Sequence, residues 1–125
     1  MKKTSIFISL VVSILRRYQI GFEQCNSCNV VINNQTITST YTFLANQLTC
    51  FTGTNSISGD ITFGQGGSLC IASEATLNIS SNNFSSNGNG VFIISVYGTL
   101  NINTGNATLS NKIDLHIYSG GTITV

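Results

Sequence analysis

The sequence predicts an all-β protein, a right-handed parallel β-helix (β-solenoid) of about four short coils. Its composition favours strands, because β-branched and aromatic residues are common, only 7% of the residues are charged and proline is absent. Short runs that alternate apolar and polar residues are separated by Gly, Asn and Ser, which is typical of strands with one buried face. One strand–turn–strand unit also recurs, as "FGQGGSLCI", "ISVYGTLNI" and "IYSGGTITV". Recurring units of this size are typical of stacked coils.

Superposition of the three units predicts the corners of the coils. It aligns Gly67, Gly98 and Gly121, at spacings of 31 and 23 residues. It also aligns Phe63, Ile94 and Ile117, which are therefore expected to form one inward column. We expect a glycine at each corner because glycine adopts backbone conformations that other residues resist.

An earlier coil is predicted from a match between "FLANQLTC" (43–50) and "FGQGGSLC" (63–70). A spacing of 20 residues would stack Phe43 on Phe63 and Cys50 on Cys70. The segment 80–90 is longer than its neighbours need, and we expect it to bulge from one corner as a loop.

Residues 1–24 are predicted to be a signal peptide that forms a helix before the coils at 25–125. Lys2 and Lys3 precede the apolar run "TSIFISLVVSIL", which is too short to span a bilayer. A buried or interfacial segment is the alternative interpretation. The signal favours a secreted or cell-surface protein without a membrane span.

The sequence has four cysteines, Cys25, Cys28, Cys50 and Cys70. Behind a signal peptide, an even number of cysteines favours structural disulfides, and four allow three connectivities. A bridge between Cys50 and Cys70 is one of these, although neighbouring parallel strands are a poor geometry for it. "CNSC" could instead be half of a zinc site or a redox pair, but no second C-x-x-C and no βαβ context accompany it.

Little in the predicted mature chain could carry chemistry. One lysine against three carboxylates gives residues 25–125 a net charge of −2, so a nucleic-acid partner is not expected. Asp60, Glu74 and Asp114 lie in separate coils, and His116 is expected on an outward strand position. We predict no catalytic, cofactor-binding or metal-ligating residue. Outward Asn78 and Asn101 are expected to join a hydrogen-bonded ladder along the stack.

The motifs "CNSCNV", "SLCIAS", "YGTLNIN" and "GGTITV" resemble the N-terminal part of long, secreted parallel β-helix surface proteins of the Bacteroidetes type. The resemblance covers residues 25–125 and implies an adhesin-like substrate of type IX secretion. "RRYQIGFEQ" departs from the usual end of the signal, and no sorting domain follows. We therefore expect an N-terminal fragment whose coils are incomplete at the C-terminus.

The predicted function is a non-enzymatic extracellular stalk or adhesin-like surface protein. Surface glycans or other cells are its expected partners, and the open last coil predicts edge-to-edge self-association. The alternative is that these are the N-terminal coils of a carbohydrate-active β-helix lyase or hydrolase, with its catalytic residues beyond Val125.

Overall fold

The computed structural model describes residues 25–81, 83–86, 89–104 and 112–125, so the predicted signal helix at 1–24 lies outside it. The described residues form thirteen strands and no helix. The strands are β1 (Val30–Asn33), β2 (Thr36–Ile37), β3 (Tyr41–Phe43), β4 (Leu48–Thr52), β5 (Thr54–Ile57), β6 (Ile61–Phe63), β7 (Ser68–Ile71), β8 (Thr76–Ile79), β9 (Phe84–Ser86), β10 (Phe92–Val96), β11 (Thr99–Ile102), β12 (Ile113–Ile117) and β13 (Thr122–Thr124).

The strands stack into three parallel sheets, one for each side of a solenoid. The first sheet has the order β1-β4-β7-β10-β12, the second β2-β5-β8-β11-β13 and the third β3-β6-β9. Each strand pairs with its counterpart in the next coil, and every pairing is parallel. The predicted all-β parallel solenoid is therefore confirmed, with about four turns.

The core consists of inward side chains stacked in register from coil to coil. In the first sheet, one column contains Ile32, Phe51, Ile71, Val96 and Ile117. In the second sheet, another contains Leu77, Leu100 and Ile123. Since most of these side chains are buried, removal of apolar surface from water is the main force that holds the coils together.

A cluster of phenylalanines fills the interior near the third sheet. Phe43 lies over Phe63, as the 20-residue spacing predicted, with ring centroids 5.5 Å apart and ring planes within 5° of parallel. Phe92 lies 4.8 Å from the Phe63 ring. All three rings are almost fully buried, so this cluster supplies much of the apolar area that folding removes from water.

Asn55 is a polar residue at an inward position that the next coils fill with Leu77 and Leu100. Its Oδ1 accepts the Gln35 N–H at 2.9 Å, and its Nδ2 donates to the Thr52 carbonyl at 2.9 Å. Both functions of the buried amide are therefore satisfied, and they close backbone groups at a corner.

The predicted superposition of the three repeated units is wrong in register. Phe63 belongs to the third sheet, whereas Ile94 lies in the first sheet and pairs with Leu115 rather than Ile117. Alternating apolar residues look alike in any strand, so the pattern aligned strands from different sides of the solenoid. The neighbouring coils that the structure aligns are offset by about 20 to 25 residues, and not by 31.

The predicted corner glycines occupy two different corners. Gly67 precedes β7, whereas Gly98 and Gly121 precede the equivalent strands β11 and β13. None of the three has a positive φ. They are needed because a Cβ at each would collide with a carbonyl oxygen, for example Ala72 O or Ala75 O at Gly98. The reason for glycine at these positions is close approach rather than an unusual backbone conformation.

Gly98→Ala is expected to lower the free energy of unfolding by about 2 kcal/mol, in the range of overpacked cores. The added methyl group would press on two carbonyl oxygens of the preceding turn. Urea denaturation followed by circular dichroism measures the change. Ser95→Ala, on the outer face of a neighbouring strand, is the control and should change the value little. Equal stabilities of Gly98→Ala and the unaltered chain would contradict the close-approach explanation.

Segment 80–90 is not simply a bulging loop, as the sequence predicted. Its residues 84–86 form β9, which pairs with β6 and completes the third side of its coil. The pattern hides this strand because Asn and Ser surround a single apolar residue, Phe84.

Candidate functional site

The N-terminal segment lies across the outer face of the first sheet. Cys25 is bonded to Cys70 in β7, and Cys28 to Cys50 in β4, with Cα–Cα distances of 5.7 and 5.8 Å. The chain then enters the first coil, where the Asn29 N–H donates to Leu48 O at 2.9 Å. We call residues 25–28 with their two disulfides the clasp. It ties three successive coils together covalently.

The disulfides confirm the structural role predicted for all four cysteines and decide their connectivity. Cys50 and Cys70 are register partners, as the 20-residue spacing predicted, yet they are not bridged to each other. Side chains of paired residues on neighbouring parallel strands extend in the same direction, which is unfavourable for a bridge. The clasp approaches from outside, so it meets both cysteines and covers them, and both are buried although they are on the outer face.

A cleft of about 470 Å³ lies between the clasp and the outer face of the first sheet. Four of its lining residues are the cysteines Cys25, Cys28 and Cys50 and the neighbouring Val31. The others are Thr52, Ala72, Ser73 and Glu74. We call this space the clasp cleft. Its volume lies in the range of small-molecule sites, and disulfides fix one of its walls.

Glu74 occupies a left-handed turn at the rim of the clasp cleft, with φ +67°. In this turn the Ala75 N–H donates to Ala72 O at 2.9 Å. The same turn recurs in the last coil, where Gly121 N–H donates to Tyr118 O at 2.8 Å, and there Gly120 holds the third position with φ +87°. This turn position favours glycine, and a side chain there costs about 1–2 kcal/mol.

An aromatic pair continues the same outer face toward the last coil. The rings of Tyr97 and Tyr118 stack with centroids 4.2 Å apart, and His116 Nδ1 lies 3.4 Å from the Tyr118 hydroxyl. Burial, with a smaller effect of the Tyr118 phenol, raises the pKa of Tyr97 above its ordinary value of 10.0. Both effects favour the neutral phenol, so Tyr97 acts as a hydrogen-bonding group and not as a base.

The outer face of the second sheet is a polar ladder. Thr54, Thr76, Thr99 and Thr122 lie in one register column. The Thr122 hydroxyl donates to Thr99 Oγ1 at 3.2 Å. In the adjacent column Asn101 Nδ2 donates to Asn78 Oδ1 at 2.9 Å, which confirms the predicted asparagine ladder.

The remaining candidates from the sequence are not brought together. Asp60 accepts a hydrogen bond from Asn83 Nδ2 at 3.0 Å on the third side, far along the coil from Glu74. His116 lies on the outer face, as predicted, beside Tyr118 rather than beside a carboxylate. Within the described ranges, no three His, Cys, Asp or Glu side chains form a group that could hold a metal ion. Sequence reasoning missed the clasp cleft, because the cleft depends on the path of the N-terminal segment.

Fold and site define the chain as a disulfide-clasped parallel β-solenoid. The chain matches no protein-family model, and no curated protein and no solved structure is significantly similar to it. Structural disulfides are typical of oxidising compartments, which indicates a location outside the cytoplasm. In the part of the chain that the structure describes, no helix has the length and apolar character needed to cross a membrane.

Proposed function

We propose that the chain forms the first coils of a non-enzymatic extracellular stalk, or of an adhesin-like surface protein. The observation that carries this proposal is the clasp, which joins the coils of an uninterrupted apolar stack covalently. A protein whose task is mechanical needs coils that resist separation. Two disulfides between the N-terminal segment and successive strands supply that resistance.

The mechanism is stiffness along the stacking axis. Backbone hydrogen bonds between parallel strands run along this axis, and inward Ile, Leu and Phe columns exclude water from them. The threonine and asparagine columns of the second sheet leave hydroxyl and amide groups toward solvent, or toward glycans on a cell surface. Such a rod displays a surface at a fixed distance from its point of attachment.

Location at the cell surface is part of the proposal. The positively charged, apolar segment before Cys25 is typical of export signals, and disulfides form after export. Surface glycans are the proposed partners, together with further copies of the chain. Ile117 and Val125 in the last coil are 48% and 82% exposed, which favours association through that edge.

Export of the full chain from a bacterium with an oxidising periplasm tests the proposal. We expect the exported protein to begin near Cys25, to contain no free thiol and to be labelled by antibody on intact cells of its source. Edman sequencing and thiol titration check the first two points. Val11→Arg interrupts the apolar run and is the matched control, which should stay inside the cell. Recovery of the unaltered chain in the cytoplasm with residues 1–24 attached would contradict the proposal.

A further inference from the structure

The clasp cleft combines three features of a built binding site. Its size lies within the usual range of small-ligand sites. One wall is held by two disulfides, so the cleft is formed before any ligand arrives. Apolar surface from Val31, which is 62% exposed, lies beside the polar side chains of Thr52 and Ser73.

Glu74 is the second and independent observation. The equivalent turn of the last coil has Gly120 at this position, and the turn at Gly64–Gly67 has Gly66, also with a positive φ. Glutamate is therefore placed in a strained conformation that glycine would adopt without cost. Strain of this kind is characteristic of functional sites. Here it holds a carboxylate at the rim of the one described turn that borders the clasp cleft.

The carboxylate has its acceptor capacity available. In the described ranges, no side chain donates a hydrogen bond to Glu74 and no cation pairs with it. Lys112, the basic residue of the described chain, donates to Asn89 at 3.2 Å, at the other end of the first sheet. An ionised carboxylate accepts two hydrogen bonds side by side from neighbouring hydroxyl groups.

We propose that the clasp cleft binds one sugar residue of a surface glycan, with Glu74 as acceptor for two adjacent hydroxyl groups. The C–H face of a pyranose ring would pack on Val31 and Ala72, and the Thr52 and Ser73 hydroxyls lie where they can exchange hydrogen bonds with the remaining sugar hydroxyls. A bare metal ion fits less well, because a single carboxylate supplies too few of the oxygens that Ca²⁺ requires. The inference rests on the proposed surface function and deepens it by naming a ligand and its site.

Saturation-transfer difference NMR on the oxidised full chain tests the inference. The probes are the methyl glycosides of glucose, galactose, mannose and N-acetylglucosamine at millimolar concentration. We expect transfer to the ring C–H protons of at least one glycoside. Glu74→Gly should weaken this binding at least tenfold while leaving the melting temperature unchanged or higher, because glycine relieves the strained turn. Glu74→Gln keeps the side-chain volume and should weaken binding as well. Asp114→Asn removes a carboxylate elsewhere on the outer face and should bind as the unaltered chain does.

Absence of transfer to all four glycosides would overturn the inference, and so would equal binding by Glu74→Gly and the unaltered chain. Binding abolished by Asp114→Asn but not by the Glu74 variants would place the ligand elsewhere and would also overturn it. These results are independent of the export experiment. A chain that reaches the cell surface and binds no sugar refutes the cleft alone, whereas a cytoplasmic chain refutes the proposed function.

Discussion

Reduction of the two disulfides is expected to lower the free energy of unfolding by roughly 6 kcal/mol, the largest change among the variants considered. Opening loops with sequence separations of 45 and 22 residues removes about 4 and about 3 kcal/mol of chain-entropy stabilisation. The sum is slightly too large, because the shorter loop lies inside the longer one. Reduction also frees the clasp from the outer face, so Cys50 and Cys70 become exposed to water. Urea denaturation with and without a phosphine reductant measures the difference.

Paired variants separate the contributions of the two bridges. Cys25→Ser with Cys70→Ser removes the longer loop, and Cys28→Ser with Cys50→Ser removes the shorter one. Each pair should lower stability by about 2–4 kcal/mol. Once both bridges are removed, the reductant should have no further effect, which controls for its action elsewhere. Coincident denaturation curves for the oxidised and reduced chains would show that the clasp contributes nothing to the stability of the coils.

Phe63→Ala is expected to lower the free energy of unfolding by about 3–5 kcal/mol. The ring lies between Phe43 and Phe92, with centroid distances of 5.5 and 4.8 Å, and it is almost fully buried. Its removal leaves a cavity that neighbouring coils cannot close without breaking their register. Chemical denaturation measures this value, and loss of near-ultraviolet circular dichroism should accompany it.

Tyr118→Ala is the matched aromatic control for Phe63→Ala. Tyr118 is 39% exposed and stacks on one neighbour, so its loss should cost about 1 kcal/mol or less. Similar losses for both variants would mean that the phenylalanine cluster is not the centre of the core. A folded Phe63→Ala chain is not needed for this comparison, because a chain too unstable to fold already exceeds the control.

The sequence by itself determined the fold class. Alternating apolar residues and recurring turns indicate stacked coils because stacking buries one face of every strand. The register between Phe43 and Phe63, and between Cys50 and Cys70, was also predictable, since those two coils have the same length. The asparagine ladder followed from the same regularity.

The tertiary structure decided the features that depend on which side of the solenoid each strand occupies. Apolar alternation is the same on all three sides, so it placed Gly67 with Gly98 and hid β9, although these lie at different corners and faces. The pairing of the cysteines was open because it depends on the direction in which residues 25–28 cross the outer face. The clasp cleft and the position of Glu74 follow from that crossing, which no local pattern records, because it brings together residues up to 45 positions apart.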